Sequence, residues 1–473
     1  MTPEPLRLHV CIDQELPDET GSGLVRSWMH FLREACRHPE LDVTAHLLGS
    51  RESSRSLGPN VRICEHPLVF GSTALLEHVG MRTPVRVGLF PYHRGLARQL
   101  RGADVIHTPY THLSLAMTAL LVARRRRVPL VNSLHTHVPS YAEIYAQRFA
   151  ELVFGRTPLS DPLVKRPRFA RALRRAFDVQ LRWYLARCNH VLVSAPDPGD
   201  SLPPGFPPGR VHYLGRGVDA ELFCPEKRDR AWLRHTLGIH EREPVVLFVG
   251  KLMAEKNVLA LAHVLARLRS EGERFSAVFC GEGEQQPAVA AQLGEKAIFT
   301  GVVPHRRLAK IYAAADLFVF PSTTEMYANV VVEAMSSGLP VIISGSAGAC
   351  QHISRPGEEG AVIDSDQPRV WAEAVAALLR DPERRRRIGL AARERVLKHY
   401  GGWGEVFDRT LLPVWLASAE EGARPAGGAR ATRWPRRDGV RVPAAERLAG
   451  CVVTTPPIEE TPFRAPLSPP RSR

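Results

Sequence analysis

Short, wholly apolar runs alternate with amphipathic stretches of helical length through both halves of this 473-residue chain. The pairs read LHVCI then LVRSWMHFLREAC, DVIHT then LAMTALLVARRRR, VVLFVG then VLALAHVLARL, and AVFCG then PAVAAQL. A strand with no polar side needs cover on both faces, and parallel neighbours need a long crossover, which a helix supplies. The alternation therefore implies an α/β fold of parallel sheets wrapped by helices. Hydrophobic residues make up 44% of the chain, and single cores seldom outgrow about 250–300 residues. Two such units are expected, with ligands held at the strand ends facing a shared cleft.

The first unit is expected over residues 1–218 and the second over 219–400. RGVDAELFCPEKRD between them carries Gly217 and Pro225 and has no apolar period, as a connector should. A last helix falls in 401–418. From 419 to 473, Pro, Arg, Gly and Ala dominate and too few apolar residues remain to bury, which predicts a disordered tail.

The most informative segment is PSTTEMYANVVVEAMSSGLPVI. ADLFVF before it reads as a buried strand stopped by Pro321, followed by a loop over 322–328. Asn329 suits an N-cap, Gly338 suits the residue after a helix end, and Pro340 forbids continuation. Such a helix start leaves the N–H groups of Asn329, Val330 and Val331 free for an anion, with Glu333 one turn inside. Upstream, GKLMAEKN brings Lys251 and Lys256 just after another apolar strand. A diphosphate needs fixed cations and backbone donors, and vicinal ribose hydroxyls need an acceptor, which a carboxylate provides. Lys251, Lys256, Glu325 and Glu333 together read as a nucleotide-sugar site.

With those motifs the chain resembles the retaining family-4 glycosyltransferases of the GT-B fold, two Rossmann-like parallel-sheet domains facing a deep cleft. The likeness runs through DETGSGLVRSW, NSLHTHVPSYAEIY, RGVDAELFCP, FVGKLMAEKN, FCGEGE, FTGVVPHRRLAKIYAAADLFVFPS and the paired glutamates, in family order. SLHTHVPSYAEIYA and TEMYANVVVEAM look most like the branch that moves mannose, sulfoquinovose or related hexoses onto lipid or glycan acceptors.

The resemblance implies that Lys251 and Lys256 grip the donor diphosphate, Glu333 holds the ribose, and Glu325 and His135 stand beside the donor sugar. It also implies that Gly23 lets bare backbone approach the phosphate, and that Gly281 and Val302 lie against the base. The segment 401–418 is expected to cross back to the first domain. Two positions depart from the family: Lys251 stands where arginine is usual, and Tyr327-Ala328 stands where Phe-Gly is usual. A lysine keeps the charge without the bidentate fork, and a methyl where backbone nears sugar crowds it or redirects the loop. A GT-B protein that binds nucleotide or glycan without turnover is therefore the alternative to an active hexosyltransferase. The implied chemistry retains the anomeric configuration, and the departing phosphate takes the acceptor's proton.

Other readings are blander. His135 is also readable as a packed histidine at a strand end, and Tyr141, Glu143 and Tyr145 as a helix face over the cleft. Asp364-Ser365-Asp366 reads as a turn and helix cap, and no His or Cys spacing suits a metal, so no cofactor is expected beyond the nucleotide-sugar co-substrate. GEGE, Gly281 to Glu284, is too short for a dinucleotide fingerprint.

The net charge of +14 calls for a partner. VKRPRFARALRRAFDVQLRWYLARC carries basic residues together with Phe169, Leu173, Phe177, Leu181 and Tyr184 on one helical face. That face reads as a core stripe with a solvated basic rim, or as contact with an anionic membrane bearing a lipid-linked acceptor. No nucleic-acid module is present, so nucleic acid is not an expected partner. The acidic, Pro-rich start lacks a secretory pattern, and eight scattered cysteines suit reduced thiols. A cytoplasmic protein, peripheral at the inner membrane face, is expected.

Overall fold

The computed structural model describes residues 4–15, 23–67, 92–135, 137–144, 146, 167–195, 201–239, 243–346 and 348–423. The expected tail beyond 423, together with Gly21, Ser22 and Tyr145, lies outside the described residues.

Eight strands form the first sheet: β1 (Leu6–Glu15), β2 (Leu41–Gly49), β3 (Ser53–Gly58), β4 (Val61–Pro67), β5 (Val105–Thr108), β6 (Leu130–Leu134), β7 (His190–Val193) and β8 (Val211–Tyr213). Their order is β3-β4-β2-β1-β5-β6-β7-β8. Apolar β1 is central, with Leu8 opposite Val43 on one side and Val105 on the other. All pairs are parallel except β3 on β4. The expectation of parallel sheets thus fails at this edge, where the polar, largely exposed run SSRSLG needs cover on neither face.

The second sheet holds β9 (Val245–Val249), β10 (Ser276–Cys280), β11 (Ala297–Gly301), β12 (Leu317–Phe320), β13 (Val341–Ser344) and β14 (Ala361–Ile363) in the order β11-β10-β9-β12-β13-β14. The chain runs one way from β9 to β11 and then returns to the other side of β9, so the topological switch lies between β9 and β12. The loops that follow these two strands carry Lys251, Lys256 and Glu325. A switch point is where open α/β sheets leave room for ligands.

Buried contacts tie distant segments together. Asp13 at the end of β1 accepts the N–H groups of Leu115 (2.7 Å) and Ala116 (2.8 Å), capping the helix Ser114–Arg126. Burial pushes this carboxyl up to about 7 although both bonds favour its charge. The last helix, Leu412–Gly422, continues a run that begins at Trp403 and includes one π turn. Leu412, Val414, Trp415 and Ala419 join the apolar core of β1 and β2, so this helix extends beyond 418 and returns to the first sheet.

Across β1, β2 and β4 runs a row of imidazoles. His9 Nδ1 meets His46 Nε2 at 2.8 Å, and His46 Nδ1 meets His66 Nε2 at 3.0 Å. His46 and His66 are fully buried. Burial first, and neighbouring positive charge second, hold the row neutral: His9 and His66 fall to about 4 and His46 lies well below 6.5. Because the folded-state values are depressed, the contribution to stability is complete above the unfolded value of about 6.5 and is lost as pH falls toward 4. Urea midpoints should therefore drop between pH 6.5 and 5, before most carboxylates titrate. Because Asp13 and Glu333, raised to about 7, act in the opposite sense, the comparison is with His46→Gln: a pH dependence unchanged by that substitution would show that the row is not its source.

Candidate active site

Lys256 ends a 3-10 turn, Ala254–Lys256, just past β9. Its ammonium is hydrogen-bonded to Glu325 Oε1 on the loop after β12. Burial works against the lysine's charge, but Glu325, Tyr141 and Glu255 outweigh it and hold the group above its usual value. The two loops are clasped further where Ser322 Oγ and Thr324 Oγ1 both donate to the Glu255 carbonyl at 3.1 Å. Lys251, half-buried one turn earlier, is pulled below its usual value by burial and by Lys256, against the pull of Glu255.

Close backbone crossings lie beneath this clasp. A Cβ at Gly281 would stand 2.0 Å from the Gly250 carbonyl oxygen, and one at Gly283 would stand 2.2 Å from that of Leu252. Packing of one loop on another thus accounts for both glycines, independently of any base. Val302 is half-buried just past β11, and Gly23 opens the helix Gly23–Ala35 with empty space where its Cβ would be.

The paired glutamates face different partners. Glu333 is half-buried and accepts from Tyr312 Oη at 3.3 Å; desolvation pushes it up to about 7, while the Arg26 guanidinium across the cleft pulls the other way. Its helix spans Asn329–Ser336. The expected N-cap is corrected: Ala328 occupies that place without a side-chain bond, and the Asn329 amide instead donates to Ser27 Oγ of the first lobe at 3.1 Å. Asn329 is itself the first residue of the helix, one place past the cap. Val330 and Val331 follow in the first turn. Gly338, at φ 72°, ends the helix as expected, with Leu339 N bonded to the Ala334 carbonyl at 3.1 Å.

Ala328 is buried at φ 59°, the left-handed region that glycine favours. The methyl has not redirected the loop; the loop has kept the glycine-type path and placed alanine on it. Several groups hold it there. Gln351 Nε2 donates to the Met326 carbonyl at 2.9 Å, His352 Nε2 bonds the Tyr327 carbonyl, and Tyr327 Oη donates to the Arg216 carbonyl at 3.2 Å.

The first lobe supplies the opposite wall. Tyr141, on the helix Val138–Ile144, reaches Thr324 beside the Lys256–Glu325 pair. Glu143 points elsewhere, accepting from Arg174 at 2.8 Å. His135, at the end of β6, is held by Ser133 Oγ (2.8 Å) and by Arg216 Nη2 (2.5 Å). Burial first, then Arg216 and His107, keep it well below its usual value and hence neutral. Arg26 is hydrogen-bonded to His305 of the second lobe, and with Ser27, Asn329 and Glu333 it lines a small pocket of about 40 Å³ between the lobes.

Of the expected residues, Lys256, Glu325, Glu333, Asn329 and His135 face this interlobe region, and Lys251 lies beside Lys256 on the loop after β9. Gly281 and Val302 sit at the neighbouring strand ends. Sequence reasoning passed over Arg26 and Arg216. Both lie inside quoted motifs, and a lone arginine next to a glycine-rich or connector segment was the available signal. Among the described residues no group of His, Cys, Asp or Glu is arranged for a metal. Asp364-Ser365-Asp366 lies in the loop after β14; Gln367 rather than an aspartate is the cap of the helix Pro368–Arg380, and Ser365 Oγ accepts from Gln367 N at 3.2 Å.

Comparison with known proteins bears on the same regions. Residues 23–222 match the family described as Glycosyltransferase Family 4, and residues 229–395 match Glycosyl transferases group 1. The GDP-mannose-dependent alpha-mannosyltransferase of Mycolicibacterium smegmatis is 33% identical over 66% of this chain and 74% of its own. The chain belongs to the family-4 glycosyltransferases. The D-inositol 3-phosphate glycosyltransferase of Nocardia farcinica is 31% identical over 73% of this chain and 76% of the relative. The sulfoquinovosyl transferase of Arabidopsis thaliana is 31% identical over 63% and 54% respectively. Sucrose-phosphate synthase from Thermosynechococcus elongatus superposes with a TM-score of 0.61 at 19% identity, over 85% of this chain and 97% of that one. The two parallel-sheet units are thus the GT-B fold of this glycosyltransferase family.

Replacing Ala328 by glycine should stabilise the protein by roughly 0.5–1 kcal/mol, because relief of left-handed strain of about 1–2 kcal/mol exceeds the entropy that glycine adds to the unfolded chain. Urea denaturation measures this. A loss of stability instead would show that the buried methyl outweighs the backbone.

Proposed function

We propose that this glycosyltransferase moves a hexose from a nucleotide-diphosphate sugar, GDP-mannose or a UDP-hexose, to a lipid-linked or glycan acceptor with retention at the anomeric carbon. The observation that carries the reading is the Lys256–Glu325 pair at the switch point, with Lys251 alongside and Glu333 one turn inside the helix that starts at Asn329. Negative charge grows on the leaving diphosphate. A half-buried ammonium already held in place, and the first N–H groups of the helix Asn329–Ser336, stabilise that charge without reorganising. Glu325 keeps Lys256 charged and turned into the cleft, and its second oxygen is suited to a sugar hydroxyl. Glu333, when ionised, is the acceptor for the ribose diol.

Gly23, Gly281 and Val302 belong to this reading as places where backbone nears phosphate or base. His135, neutral and anchored, stands on the sugar's side of the cleft. No protein base is required, since the departing phosphate takes the acceptor's proton, and the reaction proceeds without a metal. The domain division at 218/219 follows: acceptor in the first unit, nucleotide-sugar in the second, with the last helix bridging back.

The silent-binder reading rests on Lys251 and Ala328. Ala328 keeps the glycine-like path, which favours turnover. Donor hydrolysis or transfer separates the two readings: nucleoside diphosphate released from its sugar form supports activity, and binding without release supports silence. Lys256→Ala should lose about 10²–10³ in kcat, since one such donor contributes roughly 3–4 kcal/mol, with donor affinity falling less. Near-normal turnover by that variant would remove the pair from the mechanism. A thermal-shift series with UDP-, GDP- and ADP-sugars identifies the base.

The helix Pro167–Leu185 supports a peripheral membrane position in the cytoplasm. Leu181 and Tyr184 are buried and Phe169, Leu173 and Phe177 half-buried, so that stripe faces inward. The outward face carries Arg168, Arg171 and Arg175 with exposed Val179 and Trp183. Among the described residues no helix is long and apolar enough to cross a membrane. Cosedimentation with anionic vesicles should weaken as salt rises, each basic residue near the surface contributing about 1 kcal/mol. Equal binding to neutral vesicles would count against it.

A further inference from the structure

Arg216 occupies the passage from the first sheet to the second and is 6% exposed. A guanidinium offers five N–H donors and no acceptor. Among the described residues one partner uses it, His135 Nδ1 at 2.5 Å, while its Nε–H is buried with no partner. Among those residues no carboxylate comes within ion-pairing distance. Glu325 is felt only at longer range and is already committed to Lys256, and the Tyr327 ring lies 5.8 Å away. Leaving a buried cation unpaired is expensive, and so is leaving its donors unmade.

The orientation of this group is set by a chain of contacts with fixed polarity. The Trp415 indole can only donate, and it donates to His107 Nδ1 at 2.8 Å. His107 therefore carries its proton on Nε2, 2.9 Å from Ser133 Oγ. At the other end Arg216 can only donate to His135 Nδ1, so His135 also carries its proton on Nε2, 2.8 Å from the same Ser133 Oγ. Both imidazoles are neutral with both nitrogens engaged, and the serine oxygen accepts from two sides. His135 has no nitrogen left for a substrate. Its part is to aim the guanidinium, and Trp415 on the returning helix closes the network from behind.

We propose that Arg216 is an oxyanion-binding residue of the cleft, oriented by His135, which takes two oxygens of a phosphate, sulfonate or carboxylate borne by a substrate. The assignment rests on the glycosyl-transfer reading for the identity of the cleft. The fork geometry suits paired oxygens, which a lysine would meet only as a point charge. The oxyanion has two sources of the same chemistry: the donor diphosphate, or an acidic group on the transferred hexose or the acceptor.

Isothermal titration calorimetry of the full chain distinguishes them. The probes are UDP and GDP; UDP-glucuronate against UDP-glucose; and inositol 3-phosphate against inositol, with inorganic phosphate alongside. Arg216→Gln is expected to weaken binding about tenfold or more, the usual scale for one charge-assisted fork. If UDP and GDP both weaken, the source is the diphosphate; if only UDP-glucuronate or inositol 3-phosphate weakens, while its neutral counterpart does not, the source is the acidic substituent. Arg216→Lys should recover part of the loss. His135→Phe, which keeps a ring and removes the Nδ1 acceptor, should give a smaller loss on the same probe alone, a selectivity that general loosening of the core would not produce.

Wild-type affinity of Arg216→Gln for every anion overturns the proposal, as does a wild type that binds none of them. If the glutamine variant does not fold, Arg216→Lys decides: unchanged affinity for all probes overturns it. The two probes without a nucleotide score the guanidinium even where UDP and GDP fail to bind, so failure of the nucleotide reading and failure of this one are told apart.

Discussion

The clasp between the loops after β9 and β12 governs the second lobe's active face. Lys256 and Glu325 are 69 residues apart in the chain, and their side chains meet because two central strands end side by side at the switch point. A partly buried ion pair is held best when the remaining polar groups around it are satisfied. Here Ser322 and Thr324 bind the Glu255 carbonyl beneath it, and glycine backbones pass within contact of one another below that. Loss of either charge would leave the other unpaired at a site only partly open to solvent, so geometry and electrostatics are one constraint.

Contacts between the lobes extend that constraint. Ser27 meets Asn329, Arg26 meets His305, and Tyr213 Oη donates to Gln351 at 3.1 Å while the Gln351 amide reaches the Ser194 carbonyl at 3.3 Å. All are polar and all involve groups beside the candidate site. Polar interlobe contacts are exchanged for ligand contacts more readily than apolar ones, because their donors and acceptors can be re-satisfied by a substrate's oxygens. The first lobe's own polar interior is arranged differently: the row His9, His46 and His66 is neutral, its members hydrogen-bonded to one another among apolar strands.

Much of the fold was legible because it rests on local pattern. Each apolar run paired with a helical stretch became a strand and its helix, and Gly338 followed by Pro340 marked a real helix end. The misreadings have local causes too. Asn329 is a good cap by residue type, but Ala328 takes the left-handed cap position and the helix already includes Asn329. The edge strand β3 is polar and so carried no strand-like apolar signal. At Gly281 nothing in the sequence signalled that another loop's backbone, that of Gly250, passes within contact. Arg216 and Trp415 were unreadable as partners because nothing in their neighbouring residues reveals a contact through Ser133 and two imidazoles.

The chain alone therefore determined the alternation that makes two parallel sheets, the family motifs, and the residue types that can hold a diphosphate and a ribose. These follow from periodicity, turn chemistry and side-chain functional groups, all of which act within a few residues. Only the folded structure decided which of those groups face one another: Lys256 toward Glu325, Glu333 toward Tyr312 and Arg26, and a guanidinium at 216 with its donors largely unused. Tertiary packing brings segments together through burial of apolar faces, and the polar groups carried along are matched by position in space, which no interval along the sequence encodes.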